Sequence, residues 1–280
     1  GDALAAIRAA TDVVTVGPAD ADVVAVEEGM RRAIESEVSI TGPDWSLETN
    51  LSLLGQHQAT NAGVAATLAR QVAGVDSGTL ARGLRSATWP GRFEVVGRYP
   101  LVVLDGAHNP GAMATLADLV GRFEYENLLV VFAAMGDKDH VGMVEALPAI
   151  DTAFATRPAN ERAVPPADLA PILERTADRV EQVPSVAEAT ERAIARAEST
   201  DVVLVTGSLF AVAAARDRWT CPVVPKWRPG GAASDAVFSL AAFPDSTVDG
   251  IDSRTCALYL RDDQAGRIAD YVDDVGGTCH

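Results

Sequence analysis

Lysine is almost missing from this 280-residue sequence, which contains only Lys138 and Lys226. The remaining strong cations are arginines, and 39 acidic residues against 23 basic ones give a formal net charge of −16. A strongly charged, well-hydrated surface resists association, so the composition indicates adaptation to high salt or an ordinary acidic protein from a GC-rich genome. Both interpretations argue against a nucleic-acid partner, because phosphate binding needs a basic face.

Cysteine and long apolar runs are scarce as well. Cys221, Cys256 and Cys279 are far apart and lack metal-ligand spacing, which fits a reducing compartment without a disulfide framework. The longest apolar runs, such as residues 128–135, are far shorter than the roughly 20 residues of a membrane helix. The first residues lack a basic start followed by an apolar block, so no secretory signal is predicted. The expectation is a cytoplasmic, globular protein with no membrane partner.

Several short catalytic motifs are also absent. The sequence has no G-x-x-x-x-G-K-[ST] phosphate loop, no G-x-S-x-G elbow, no HExxH and no CxxC. No G-x-G-x-x-G follows a predicted strand, which argues against a dinucleotide oxidoreductase. By itself the chain therefore lacks a complete apparatus for holding the phosphates of ATP.

The texture of the sequence divides it into three parts. Residues 1–88 mix short strands (VVTV, VVAV, VSIT) with helices predicted from Ala59 to Val72 and directly after Asp76 and Ser77. Residues 89–222 alternate apolar strands with amphipathic helices, which predicts an α/β fold with a Rossmann-like, mostly parallel sheet of five or six strands. Residues 223–280 predict a Pro/Gly/Ser-rich linker and a small appended segment with a strand at CALYL and a helix over 264–274.

Five strands are predicted in the middle part, each leading into a helix: 101–104, 128–132, 152–156, 179–183 and 201–206. The segment LVVLDGAHNP is the most informative of them. Asp105, His108 and Asn109 follow a buried strand, at the edge of an open parallel sheet where ligands bind. The same three side chains also suit a purely structural role in capping and bracing the turn, so function and bracing both stay open.

Three further positions suit an anionic ligand. Arg92 follows a Pro90-Gly91 turn and suits a nucleotide ribose or phosphate, or else a surface ion pair. Lys138 follows the second strand and suits a substrate carboxylate, or else is a solvated loop charge. Ser208 opens the last helix, where free N–H groups bind anions, or else serves only as an N-cap.

Amides cluster at the start of the first helix, in GQHQATNA. Gln56, Gln58 and Asn61 stand ahead of an Ala-rich helix and are candidates to reach an adenine or the opposite domain. His57 is assigned no catalysis, since a lone histidine here is more often structural.

Taken together, the motifs GQHQATNA, WPGRFE, LDGAHNP, FAAMGDKD and VLVTGSLF resemble folylpolyglutamate and dihydrofolate synthases of the Mur ligase superfamily in order and spacing, over about residues 10–215. The resemblance implies a Mur ligase carboxy-terminal domain preceded by the remainder of an α/β ATPase domain. It implies that ATP phosphorylates a folate or pteroate carboxylate and that glutamate attacks the acyl phosphate. It also implies nucleotide contacts at Asn61, Arg92 and Asp105, a catalytic His108 beside them, and amino-acid contacts at Lys138 and Ser208.

The sequence departs from this family at its start. The phosphate loop, the Mg²⁺ ligands and the modified lysine of the family are missing, so a fragment, a split gene product or a truncated form is expected, with no metal ligand in this chain. The resemblance implies ATP and Mg²⁺ as cofactors. It implies one of two partners: the missing ATPase portion, or a fused dihydropteroate synthase as in salt-loving archaea. The competing hypotheses are a Mur-type ligase for a cell-wall precursor, against which DGAHNP weighs, and a non-catalytic Rossmann-like binding module.

Overall fold

A computed structural model describes residues 12–31 and 34–219, with residues 7, 9 and 10 and the paired strands Leu240–Ala241 and Ala257–Leu258. The chain divides into two compact units. The first holds residues up to Glu94 together with Gly111–Glu124, and the second holds Val95–Pro110 and the residues from Tyr125 onward. Part of the predicted CALYL strand is present at Ala257–Leu258, whereas the helix predicted over 264–274 lies outside the described residues.

The first unit contains a four-stranded sheet in the order β1-β2-β3-β4, in which β1 runs parallel to β2 and the other pairs are antiparallel. Its strands are β1 (Val16–Gly17), β2 (Val23–Arg31), β3 (Glu35–Thr41) and β4 (Ser46–Leu51), followed by α1 (Gln56–Ala73) and α2 (Ser77–Arg85). Small residues let α1 approach the sheet closely. A Cβ on Gly63 would lie 2.8 Å from the Cβ of Ala25, so the helix backbone nearly touches β2.

One strand prediction in this unit needs correction, and one strand was missed. The predicted VVTV strand is reduced to Val16–Gly17. The Thr15 carbonyl still accepts the Val23 N–H at 3.0 Å, but the other polar groups of Thr15 bond to a side chain. Its backbone N–H and its hydroxyl both donate to the Asp22 carboxylate, at 2.9 and 2.7 Å. Strand β4, SLETNL, was not predicted, because its polar residues hide a strand whose alternate residues are buried.

The second sheet has six strands in the order β5-β6-β10-β7-β8-β9, and β6, β10, β7, β8 and β9 are parallel. The strands are β5 (Glu94–Arg98), β6 (Leu101–Leu104), β7 (Leu128–Phe132), β8 (Ile150–Ala155), β9 (Ala177–Gln182) and β10 (Val202–Thr206). The helices along this stretch are α3 (Pro110–Val120), α4 (His140–Glu145), α5 (Pro166–Leu173), α6 (Val186–Arg196) and α7 (Leu209–Arg216). The α/β fold class and the six-stranded, mostly parallel sheet are confirmed.

Burial explains why these strands read as apolar runs. Every residue of β7 and β10 is buried, as expected for central strands covered on both faces. Their core cluster includes Leu104, Val131, Phe154, Val205 and Val212. Ser185 caps α6, since its hydroxyl accepts the Glu188 N–H at 3.3 Å. None of the helices that the structure describes is long and apolar enough to span a bilayer.

Candidate functional site

The carboxyl edge of the six-stranded sheet brings three candidate loops side by side. The register aligns Leu104 of β6, Val205 of β10 and Val131 of β7. Backbone bonds continue past the strands: Gly207 N–H donates to the Ala107 carbonyl at 3.1 Å, and Ala133 N–H donates to Thr206 at 3.2 Å. The loops that carry Asp105 and His108, Ser208, and Lys138 therefore leave three neighbouring strands at one edge.

The turn after β6 is fixed by its own polar groups. The Asp105 carboxylate accepts the Ala107 N–H at 2.8 Å, and the Asp105 N–H donates to the Val205 carbonyl at 3.0 Å. His108 Nδ1 lies 2.9 Å from the Gly106 carbonyl oxygen. A carbonyl only accepts, so Nδ1 carries the hydrogen and Nε2 of the neutral ring has a lone pair for another partner.

The Met135 carbonyl accepts two hydrogen bonds within the Lys138 loop, and the Gly136 N–H ties the loop to the Arg162 carbonyl at 2.9 Å. The Met135 oxygen accepts both the Lys138 N–H at 3.2 Å and His140 Nε2 at 2.8 Å. Lys138 Nζ lies 3.0 Å from the Asp137 carboxylate, and this hydrogen bond lowers the pKa of Asp137. Asp137 is 67% exposed, so the pair is weak and the ammonium remains available to a ligand.

His140 is a positioning residue that sequence reasoning missed. It opens α4, where Asp139 caps the helix by accepting the Gly142 N–H at 3.0 Å. The His140 ring contacts the Met135 carbonyl across the loop. Nothing in the sequence DKDH predicts this contact.

Ser208 is buried and serves as the N-cap of α7, where its oxygen accepts the Phe210 N–H at 3.1 Å. The structural role that the sequence allowed is therefore present. Gly207 before it has a φ of +100°, and a Cβ there would lie 2.3 Å from the Ala133 carbonyl oxygen. Glycine is required at this position, because both the conformation and the space exclude a side chain.

Arg92 lies in the first unit, on a turn with two unusual backbone conformations. Gly91 has a φ of 71° and donates its N–H to Glu94 at 2.8 Å. Phe93 has a φ of 45° and is buried in a stack on Phe123, with ring centroids 5.5 Å apart. Within the described part of the chain, the half-buried Arg92 forms no hydrogen bond or ion pair, so the surface ion pair considered above is not observed.

The amides of GQHQATNA divide into structural and open groups. The Gln56 side chain bonds to β2 twice, donating to the Ala25 carbonyl at 2.8 Å and accepting the Glu27 N–H at 2.9 Å. Gln56 therefore anchors α1 to β2. The sequence had suggested instead that its side chain reaches outward to an adenine or the opposite domain. Asn61 is exposed, and its side-chain NH₂ donates to the side-chain oxygen of the buried Gln58 at 3.1 Å.

A buried carboxylate supports the start of α1, and sequence reasoning missed it. The side chain of Glu27 is only 5% exposed and accepts the Ser36 hydroxyl at 2.6 Å, the Gly55 N–H at 3.1 Å and Arg122 at 2.8 Å. Burial raises the pKa of Glu27, but the donors from Ser36, Arg122 and Gly55 outweigh it and lower the pKa overall. The carboxylate also lies at the helix amino terminus, where negative charge is favoured.

The opposite edge of the second sheet holds a cavity of about 330 Å³ lined by charged residues. The acidic residues that line this cavity form hydrogen bonds that hold the fold together. Asp201 accepts the Asn127 side-chain amide at 2.8 Å and the Glu198 N–H at 2.8 Å. Asp151 accepts the Leu128 N–H at 2.7 Å. Among the residues that the structure describes, no group of three or more His, Cys, Asp or Glu is placed to hold a metal ion.

Comparison with known proteins identifies the domain that carries this edge of the sheet. Residues 91–209 match the Mur ligase, glutamate ligase domain family. The chain is 55% identical over 222 residues to the probable bifunctional folylpolyglutamate synthase/dihydropteroate synthase of Halobacterium salinarum, covering 78% of this chain and 27% of that protein. It is 33% identical over 177 residues to the dihydrofolate synthase/folylpolyglutamate synthase of Bacillus subtilis, covering 60% and 40%.

Solved structures agree with the sequence relatives. The Mycobacterium tuberculosis folylpolyglutamate synthase complexed with ADP has a TM-score of 0.69 and 27% identity, covering 77% of this chain and 51% of that one. The chain thus spans between about a quarter and a half of the length of these relatives. Residues 91–209 are therefore a Mur ligase, glutamate ligase domain, and most of the chain is similar to part of the folylpolyglutamate synthases.

Proposed function

We propose that this chain is the amino-acid-binding part of an ATP-dependent ligase that adds L-glutamate to a folate or pteroate. The observation that carries the proposal is the alignment of Lys138, Ser208 and the Asp105–His108 turn on three neighbouring strand ends of a glutamate ligase domain. An ammonium, a helix amino terminus and an imidazole at one edge suit a small dicarboxylate whose amine must be brought to an electrophile.

The proposed reaction needs an activated carboxylate. ATP supplies it by phosphorylating the folate or pteroate carboxyl group; the glutamate nitrogen then bonds to that carbon, and the C–O bond to phosphate breaks. The phosphate leaves with the bonding electrons, and the amine loses a proton. The open Nε2 of His108 suits that proton, while Lys138 holds a glutamate carboxylate beside Ser208. Asn61, Arg92 and Asp105 are the proposed nucleotide contacts.

The proposal assigns the β- and γ-phosphates and Mg²⁺ to a phosphate-loop region that this sequence lacks. The described residues include no cluster suited to Mg²⁺, so none of them is given a metal-binding role. The likeness to a bifunctional Halobacterium protein further supports action beside a dihydropteroate synthase, with residues 223–280 as the proposed connector.

The purified chain is expected to show no ligase turnover. ATP-dependent release of phosphate in the presence of glutamate and dihydropteroate, and formation of the amide by mass spectrometry, are the measurements. The Bacillus subtilis relative, assayed in parallel, is the positive control. Glutamate addition by the 280-residue chain alone would refute the assignment of phosphate binding to a region outside it.

Glutamate binding is expected to depend on Lys138. In calorimetric titrations in molar KCl, Lys138→Ala is expected to weaken glutamate binding by about tenfold or more, since a charge-assisted contact contributes roughly 1.5–3 kcal/mol. ATP is expected to bind weakly, because the phosphate loop is absent. Asp137→Asn is the matched control, because it removes the ion-pair partner and keeps the ammonium.

Either of two results would count against this assignment. Equal glutamate affinity in the wild-type chain and Lys138→Ala would remove Lys138 from the site. No glutamate binding by the wild-type chain would favour a binding module that has left ligase chemistry.

A further inference from the structure

Trp89 is an exposed aromatic side chain with no structural work of its own. It is 66% exposed in a protein in which aromatic residues are only 5% of the sequence. In the part of the chain that the structure describes, its indole N–H forms no hydrogen bond and its ring stacks on no other ring. A large apolar ring left in water is an unfavourable arrangement that the fold does not require.

The segment that carries Trp89 is built rigidly. Two residues later Gly91 adopts a positive φ of 71°, and Phe93 adopts a φ of 45° that non-glycine residues rarely populate. Phe93 is 3% exposed and stacks on Phe123 with an interplanar angle of 18°, so packing holds it in that conformation. Strain of this kind persists where the surrounding structure overdetermines it, and it is concentrated at ligand-binding sites.

The same turn carries an uncommitted positive charge. Arg92 forms no ion pair or hydrogen bond within the described residues, in a protein of net charge −16 where carboxylates are plentiful. Ser86 and Thr88 before Trp89 are polar and exposed, and Ala87 between them is half-buried. A single ring among polar neighbours is not the contiguous apolar patch of a protein interface. An exposed ring and a guanidinium within four residues of sequence are the two kinds of group that bind a flat, anionic ligand.

We infer that Trp89 stacks on the purine base of the bound nucleotide while Arg92 contacts its ribose or phosphate. This inference rests on the proposed function and adds to it the residue that recognises the base. Stacking supplies affinity for any flat base, because every base has a π face, and the guanidinium supplies attraction for the charged end.

Fluorescence of the 280-residue chain tests the inference directly. Excited at the red edge of the tryptophan band, where adenine does not absorb, the chain is titrated with millimolar ADP. Stacking on Trp89 quenches the signal, so the quenching persists in Trp45→Phe and disappears in Trp89→Phe. Trp45 is the matched control because its ring is occupied by Arg70, 5.1 Å from the ring centroid.

Affinity is measured separately, by saturation transfer to the ADP protons, with melting curves to verify that each variant is folded. Trp89→Ala is expected to weaken ADP binding by about tenfold or more, whereas Trp89→Phe retains most of it. Inorganic pyrophosphate, which has no base, is expected to bind weakly, and with the same affinity to the wild-type chain and Trp89→Ala.

The outcomes separate this inference from the function on which it rests. Equal ADP affinity in wild type and Trp89→Ala, with weakening in Arg92→Ala, would overturn the role of Trp89 and keep the nucleotide site. No ADP binding by any form would overturn both the inference and the nucleotide contacts, while the glutamate titration would stand independently. Quenching that survives in Trp89→Phe would place the base on another tryptophan.

Discussion

Replacing Gly207 with alanine is expected to lower the free energy of unfolding of the second unit by about 3 kcal/mol or more. The methyl group would lie 2.3 Å from the Ala133 carbonyl oxygen and 3.1 Å from the Phe132 ring, and the φ of +100° is strained for any residue with a Cβ. Phe132 and Ala133 belong to the fully buried centre of the sheet, so the clash cannot be relieved by a flexible side chain.

The loss of stability is measured by urea denaturation, with amide hydrogen exchange of peptides from β10 as the signal. This signal reports on the second unit, which contains Gly207. Gly83→Ala is the control, since a Cβ there meets nothing within 4 Å and alanine favours a helix interior. That change is expected to stabilise α2 by about 0.5–1 kcal/mol. Similar exchange rates in wild type and Gly207→Ala would show that the carboxyl edge of the sheet is more adaptable than its geometry indicates.

Replacing Glu27 with glutamine is expected to lower the stability of the first unit by about 2 kcal/mol. The neutral amide loses the ion pair with Arg122, and because it keeps only one acceptor oxygen, its NH₂ meets the donors either of Arg122 or of Ser36 and Gly55. Arg122 is 36% exposed, so solvent screens part of the charge term, and the figure lies below that of a fully buried pair.

The same substitution is expected to change the pH dependence of stability. The folded-state pKa of Glu27 is lowered, so its contribution is present above the unfolded-state pKa and is lost as pH falls through the folded one. Glu27→Gln therefore destabilises most at neutral pH and least in acid. Urea midpoints across this range are the measurement, with the exposed neighbour Glu28→Gln as the control. A constant difference at all pH values would contradict the proposed charge interaction.

Apolar runs were enough to predict most of the second sheet. LVVL, LLVVF and DVVLVT are buried on both faces, so their sequences carry no polar alternation to confuse them with other elements. The β4 segment SLETNL was missed because only alternate positions are buried and two of the others are charged or amide residues. Thr15 was predicted to lie in a strand. Its side-chain bond to Asp22, seven residues away, does not appear as any pattern in the sequence.

The candidate site was predictable only as separate loops. The sequence shows that Asp105, Lys138 and Ser208 each follow an apolar strand. It does not show the order of the strands in the sheet, and that order is what makes the three loops neighbours. The roles of Gln56 and Glu27 depend on contacts 31 and 28 residues away, with Ala25 and Gly55, and the sequence contains no sign of either. Their donors and acceptors are satisfied by tertiary structure, which local patterns do not encode.

The position of β10 between β6 and β7 has a consequence for synthesis of the chain. It is the last of the six strands along the sequence, yet it occupies a central place in the sheet. Until the ribosome has released Thr206, both β6 and β7 present unpaired edges of apolar sequence, the kind of surface that associates with other chains. Nascent chains arrested before this residue are therefore the forms that most need protection by chaperones, and those extending past Ser208 are the first that can complete the sheet.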